Sequence, residues 1–313
     1  MKYIKPNKLS RNDLIGIISP ASSPDDLSLI ETGIKYIEGL GYKTIIGKNV
    51  GKYRGYLAGT DEERVSDIHE MFNNKKVKAI ICLRGGYGAS RLLDKIDYKL
   101  IRNNPKIFVG FSDITALHLA FLQKSRLITF AGPMVISNFV KDLSHYTEEY
   151  FWQLITSDKK PGKIIWSANE KPRSITLGKA TGKIIGGNLA VFNSLLCTAY
   201  LPNLKDKILF VEDVNEYPYK IDRMMNQLKL NRVFKKVKGI ILGSFVDCIE
   251  QDQNKKTLTL KEIFTDYFKE LKIPVISGFP HGHIKDLITI PIGINVKMNA
   301  SKGYIEFSES GVM

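Results

Sequence analysis

The stretch Ile107-Phe108-Val109-Gly110-Phe111-Ser112-Asp113-Ile114-Thr115 runs directly into Ala116-Leu117-His118-Leu119-Ala120-Phe121-Leu122. A run of β-formers ends at a glycine, one serine stands at the corner, and a helical pattern begins at once. This layout suits a nucleophile elbow, in which a strained strand-to-helix turn lifts a hydroxyl above a sheet. On local sequence alone the plainer reading, Ser112 as a helix cap, is favoured, because serine and aspartate are preferred there. The choice depends on whether the rest of the chain supplies a base, an orienting acid and oxyanion donors.

Upstream of the elbow, strands and helices alternate. Leu14-Ile15-Gly16-Ile17-Ile18 is an apolar run ending in the turn-rich Ser19-Pro20-Ala21-Ser22-Ser23-Pro24, as expected of a buried parallel strand. Leu29, Ile30, Ile34, Ile37 and Leu40 recur at helical spacing, and Lys43-Thr44-Ile45-Ile46 reads as the next strand. Thr60-Asp61-Glu62-Glu63 opens another helix with acid-rich first-turn chemistry. Lys78 to Leu83 is a third strand, ending in Arg84-Gly85-Gly86-Tyr87-Gly88, where glycines let backbone amides approach a ligand. With Leu127 to Gly132 as a fifth strand, the pattern predicts a mainly parallel sheet covered on both faces.

Beyond residue 145 the rhythm changes. A helix through Phe151 and Leu154 gives way to Ser157-Asp158-Lys159-Lys160-Pro161-Gly162, a turn or linker. Strands are expected at 163–166, 182–186, 207–211, 238–245, 273–276, 294–298 and 304–307, and helices at 189–199, 219–230 and 258–271. The fold class is therefore α/β: an N-terminal parallel-sheet domain over residues 1–160 and a mixed α+β domain over 161–313. Clefts between domains are common binding sites, and the active site is expected at this interface.

Composition bounds the function classes. The 313 residues are 43% hydrophobic and 25% charged, an ordinary globular balance. No apolar run approaches the roughly 18 residues of a membrane span, and Met1-Lys2-Tyr3-Ile4-Lys5-Pro6 lacks a signal-peptide core, so a cytoplasmic protein is expected. Cys82, Cys197 and Cys248 are scattered, against a disulfide framework or zinc knuckle. The net charge of +14 comes from 46 basic and 32 acidic residues, dispersed in short pairs rather than a basic block. Solvated faces explain this better than nucleic-acid binding, though the charge could attract an acidic small substrate.

Candidate chemistry gathers at strand ends. His281 and His283, in Gly278-Phe279-Pro280-His281-Gly282-His283, lie where α/β folds collect ligands, and either is a credible general base. Their H-x-H spacing could suggest a metal pair, but no acidic or cysteine ligand cluster accompanies it. His69 and His118 fall inside helical patterns as packing or surface residues, and His145 lies in the polar segment Asp142-Leu143-Ser144-His145-Tyr146. Glu212-Asp213 ends another strand, where a carboxylate could orient a histidine or simply begin the next helix. Gly85 and Gly86 could supply an oxyanion donor beside the amide of Asp113.

Taken together, Arg84-Gly85-Gly86-Tyr87-Gly88, Gly110-Phe111-Ser112-Asp113-Ile114-Thr115, Gly186-Gly187-Asn188-Leu189, the run from Glu212 to Arg223 and Gly282-His283 resemble the LD-carboxypeptidase family. These are muramoyltetrapeptide carboxypeptidases, and the family includes microcin C immunity proteins. The likeness extends from the Ile-Ser-Pro-Ala-Ser segment at 18–22 to the Leu-Ile-Thr-Ile-Pro-Ile-Gly segment at 287–293. It implies a serine peptidase with a Ser112, Glu212, His283 triad, an oxyanion hole of the Gly86 and Asp113 amides, no cofactor or metal, and a homodimer. The implied substrate is a murein tetrapeptide that loses its terminal D-alanine during peptidoglycan recycling. Arg84, Gly85 and Arg223 are candidates to bind it, the arginines for its carboxylate. The immunity branch cleaves peptidyl-adenylates and stacks the base on an aromatic of a long loop. Segment 167–182 here is short and lacks an aromatic, which favours the peptidoglycan branch, as does the Glu-Asp-Val-Asn-Glu run at 212–216. A ligand-binding module without catalysis is the alternative from another class.

Overall fold

Residues 3–140, 143–168, 171–252 and 254–313 are described by a computed structural model. Asp142 and residues 169–170 of the 167–182 segment lie outside the described residues. The strands in chain order are β1 (Leu14–Ile18), β2 (Lys43–Ile46), β3 (Val77–Cys82), β4 (Ile107–Gly110), β5 (Thr129–Ala131), β6 (Gly162–Lys163) and β7 (Arg173–Thr176). They continue with β8 (Lys179–Asn188), β9 (Lys207–Val214), β10 (Gly239–Val246), β11 (Val275–Ser277), β12 (Ile290–Ile292), β13 (Asn295–Asn299) and β14 (Tyr304–Phe307).

The first sheet has the order β12-β5-β4-β3-β1-β2. Its five N-terminal strands are parallel, and β12 is antiparallel to β5. Strands buried on both faces explain the near-continuous apolar runs. Within β3, Ala79 and Ile81 face one buried cluster and Ile80 and Cys82 the other. The fully buried Ile80 and Ile81 each contribute about 1.5–3 kcal/mol. The chain steps from β1 outward to β2, then returns to the other side of β1 for β3. The turns after β1 and β3 therefore diverge at a topological switch point, where open α/β sheets form crevices.

The second sheet has the order β6-β14-β13-β8-β9-β10-β11-β7, parallel from β8 to β11 and antiparallel at both flanks. The two-sheet α/β architecture expected from the sequence is present. One apolar cluster spans both sheets, joining Ile80 and Phe108 to Ile208 and Ile241.

Some elements differ from expectation. The strand expected at 163–166 ends at Lys163, and the helix expected to Ala199 ends at Ser194. Cys197 has φ of 63°, which a helix cannot contain. β7 and β12 were not anticipated. β12 contains Pro291, which lacks an N–H and is tolerated because β12 is an edge strand.

Candidate active site

Ser112 sits in the turn between β4 and the helix Thr115–Ala120, with φ of 62°. This left-handed conformation is uncommon for serine and matches the strained corner of an elbow. The turn is held from behind by His118, whose Nε2 donates to the Gly110 carbonyl at 2.7 Å and whose Nδ1 meets Thr129 Oγ1 at 2.8 Å. Burial pushes the His118 imidazole down to about 4, so it is a neutral packing group, as its helical position suggested.

His283 reaches the elbow from the loop between β11 and β12. Its Nε2 lies 3.2 Å from Ser112 Oγ and its Nδ1 3.1 Å from Glu212 Oε2. A carboxylate can only accept, so Nδ1 carries the proton and Nε2 is left to accept from the serine hydroxyl. Glu212 is 1% exposed, and its Oε1 has no hydrogen-bond partner among the described residues. The ring of Phe111 covers the imidazole at 5.1 Å between centroids. Gly282 has φ of 143°, and a Cβ there would fall 3.2 Å from Glu212 Oε2, so a glycine keeps the histidine loop against the acid.

His281, the other half of the H-x-H pair, points elsewhere. Its Nδ1 donates to the Ile288 carbonyl at 2.6 Å, and burial lowers its imidazole to about 3. The two histidines thus sit in different environments, one in the core and one at the cleft.

The Glu212-Asp213 pair divides in the same way, because successive strand residues face opposite sides. Asp213 accepts from Asn188 Nδ2, the Ala190 amide and the Val214 amide, and burial raises its carboxyl to about 6. The Asn188 amide in turn donates to Thr115 Oγ1 at 3.0 Å. The Gly-Gly-Asn-Leu segment therefore ties the helix after Ser112 to the strand that carries Glu212.

Ser112 and His283 open onto a cleft of about 580 Å³ that Arg84, Gly85 and Gly86 also line. A Cβ on Gly85 would come within 3.0 Å of Ser112 Cβ and 3.5 Å of the Asp113 amide nitrogen. Asp113 turns its own side chain inward, accepting from the Ala89 amide at 2.8 Å, and burial raises its carboxyl to about 6. Arg84 and Lys285 both line the wall. Arg223 is not brought to this cleft: it is exposed on the helix Pro218–Leu230, with its guanidinium 5.4 Å from the Tyr219 ring centroid.

Sequence reasoning missed Met134, Ser137, Asn138, Ile284 and Lys285, which also line the cleft. The first three flank or lie in the π-helical turn Val135–Phe139, and such turns are frequent at functional sites. No side-chain motif marks that turn, but Lys285 follows His283 closely enough to have been suspected.

A hydroxyl bonded to an imidazole that is bonded to a buried carboxylate can lose its proton while attacking a carbonyl. Strand, strained turn and helix beneath that array are the framework of a serine-type hydrolase. Comparison with known proteins narrows the class. Residues 15–132 match the LD-carboxypeptidase N-terminal domain and residues 181–298 the LD-carboxypeptidase C-terminal domain. The chain belongs to the LD-carboxypeptidase family of serine-type peptidases.

A probable murein peptide carboxypeptidase of Bacillus subtilis is 38% identical over 95% of this chain and 92% of its own. The microcin C7 self-immunity protein in complex with aspartyl sulfamoyl adenosine superposes with a TM-score of 0.90 at 29% identity, over 99% of this chain and all of that one (100%). A muramoyltetrapeptide carboxypeptidase from Oxalobacter formigenes does so with 0.82 at 31% identity, over 93% of this chain and 97% of that one.

Proposed function

We propose that this chain removes the terminal D-alanine of murein tetrapeptides by cutting the L-D amide bond, with Ser112, His283 and Glu212 as its catalytic triad. The observation that carries the assignment is the continuous hydrogen-bond path from Ser112 through His283 to the buried Glu212, ending in the cleft. His283 takes the proton from Ser112 as Oγ attacks the amide carbonyl, and Glu212 holds the imidazole in the required tautomer. The backbone amides of Gly86 and Asp113 stabilise the oxyanion, a contribution of about 10²–10³ in turnover per donor. His283 then protonates the leaving D-alanine amine, and water hydrolyses the acyl-enzyme.

Arg84, which lines the cleft beside the glycine loop, favours a substrate with a free carboxylate. Turnover of such peptides belongs to peptidoglycan recycling within the cytoplasm. Released D-alanine should appear when purified protein meets a murein tetrapeptide, and Ser112→Ala should lower the rate about 10⁴-fold or more. Equal rates for the two proteins would remove Ser112 from the mechanism.

The likeness to the self-immunity protein favours a second activity, hydrolysis of an aminoacyl-nucleotide. Parallel turnover of a tetrapeptide and a peptidyl-adenylate analogue decides between them. Preference for the adenylate would replace the murein assignment.

A further inference from the structure

Arg64 lies in the helix Asp61–Asn73 and is 1% exposed. Its Nη1 donates to the Pro20 carbonyl at 2.7 Å and to the Gly88 carbonyl at 2.9 Å, while Nη2 reaches Asp61 Oδ1 at 2.6 Å. Asp61 is gripped from the surface side by Arg91, whose Nε and Nη2 each donate to it at 3.0 Å. The two carbonyls belong to the turns after β1 and β3, which diverge at the switch point of the first sheet. One guanidinium thus joins the two turns that the topology pulls apart.

A second fastening lies one residue away. The Ala89 amide donates to Asp113 Oδ2, so the Arg84–Ser90 loop is held at Gly88 by Arg64 and at Ala89 by the residue after the serine. Ser22, in the turn after β1, adds a third, donating to the Tyr56 carbonyl and accepting from the Tyr87 amide at 3.2 Å. The loop clamped in this way sets Gly85 so near Ser112 that a Cβ there would lie 3.0 Å from the serine Cβ.

Stability alone does not call for an arginine here. Desolvating a guanidinium is costly, and apolar residues in place of the whole buried ion pair often match or exceed its stability. An arginine supplies rigid, directed N–H groups from one fork, able to fix two carbonyls relative to each other.

We propose that Arg64, braced by Asp61 and Arg91, is a positioning residue for the peptidase reaction: it sets the placement of the Gly86 amide relative to Ser112 and the Asp113 amide. The inference rests on the assignment of Ser112 as nucleophile and of those two amides as oxyanion donors. Arg64 acts through the loop and touches no substrate. Small misplacements of such donors are expensive in rate, because their value depends on pointing where the oxyanion forms.

Three quantities test it in Arg64→Lys and Asp61→Asn: kcat, KM, and the affinity of a peptide boronate that adds to Ser112 as a tetrahedral analogue. Lysine offers a point charge without the fork, and asparagine keeps the shape of Asp61 without its charge. We expect Arg64→Lys to lower kcat about 10–100-fold, to leave KM within about threefold, and to weaken boronate binding as kcat/KM falls. Asp61→Asn should shift the same quantities in the same direction by less. Should Arg64→Lys fail to fold, as judged by circular dichroism, Asp61→Asn decides by the same readouts. Wild-type kcat and boronate affinity in the folded variant, or a loss confined to thermal stability or to KM, overturns the inference. Activity that depends on Ser112 but ignores Arg64 defeats this inference alone. Activity that survives Ser112→Ala defeats the underlying assignment instead.

Discussion

Ser112 and His283 are 171 positions apart in sequence and 3.2 Å apart in space. Each residue is informative by itself only as a type: a serine at a glycine corner, a histidine after a glycine. The distance that turns them into a pair comes from two loops meeting at strand ends. Glu212→Gln tests the third member. We expect kcat to fall about 10⁴-fold with the fold retained, because the amide no longer fixes the imidazole tautomer. A loss below tenfold would reassign Glu212 to support. His118 offers a test by pH. Its imidazole is held near 4 in the folded protein against an ordinary value near 6.5, so stability from the buried neutral ring is complete above 6.5. That contribution is lost as pH falls towards 4. Urea unfolding of wild type and His118→Gln should therefore converge on acidification, by on the order of 2–3 kcal/mol between pH 7 and pH 4. A constant difference would mean that the ring titrates alike in both states. The motifs named Ser112, Glu212 and His283, whereas a choice between Glu212 and Asp213 on local sequence was open. Strand alternation settled where each points: one carboxylate faces His283 and the other accepts from Asn188.

Among the elements, the glycine loop after β3 is the most exacting. A methyl on Gly85 would crowd Ser112, at 3.0 Å from its Cβ and 3.2 Å from its Oγ, yet the Gly85 backbone is not in the left-handed region. Gly85→Ala should therefore cost at least tenfold in kcat, through crowding at the nucleophile. The melting temperature should move by only a few degrees. Unfolding of the variant at room temperature would make the loop a folding element rather than a catalytic one. The strands with strong periodicity were legible: β1, β2, β3 and β4 match their apolar runs to within a residue. β7 and β12 were not: β7 has no fully buried residue to set an apolar pattern, and β12, though buried throughout, is only three residues long. Pro291 within β12 lacks a ladder N–H, which the edge position makes harmless.

At the scale of the molecule, the division at residue 160 is crossed by the chain itself. β12 enters the first sheet, and Met313 exchanges backbone hydrogen bonds with Pro6 and Lys8. The apolar cluster shared by both sheets adds to this. We expect one cooperative unfolding transition, with tryptophan fluorescence and far-ultraviolet circular dichroism giving coincident curves in urea. Two separated midpoints would mean that the sheets unfold independently. No helix among the described residues is long and apolar enough to cross a membrane.

The amino-acid sequence by itself determined the alternation of strands and helices, the strand-to-helix corner at Gly110-Phe111-Ser112 and the residue types for its chemistry. These are local properties, written in periodicity and in runs of a few residues. Only the tertiary structure decided that Ser112, His283 and Glu212 form one hydrogen-bonded line, that Arg223 stands away from it, and that Arg64 spans two turns. Those facts depend on strand order and on loop ends brought together from distant parts of the chain. Burial and hydrogen bonding then select one arrangement of the residues, and that selection has no short-range signature in sequence.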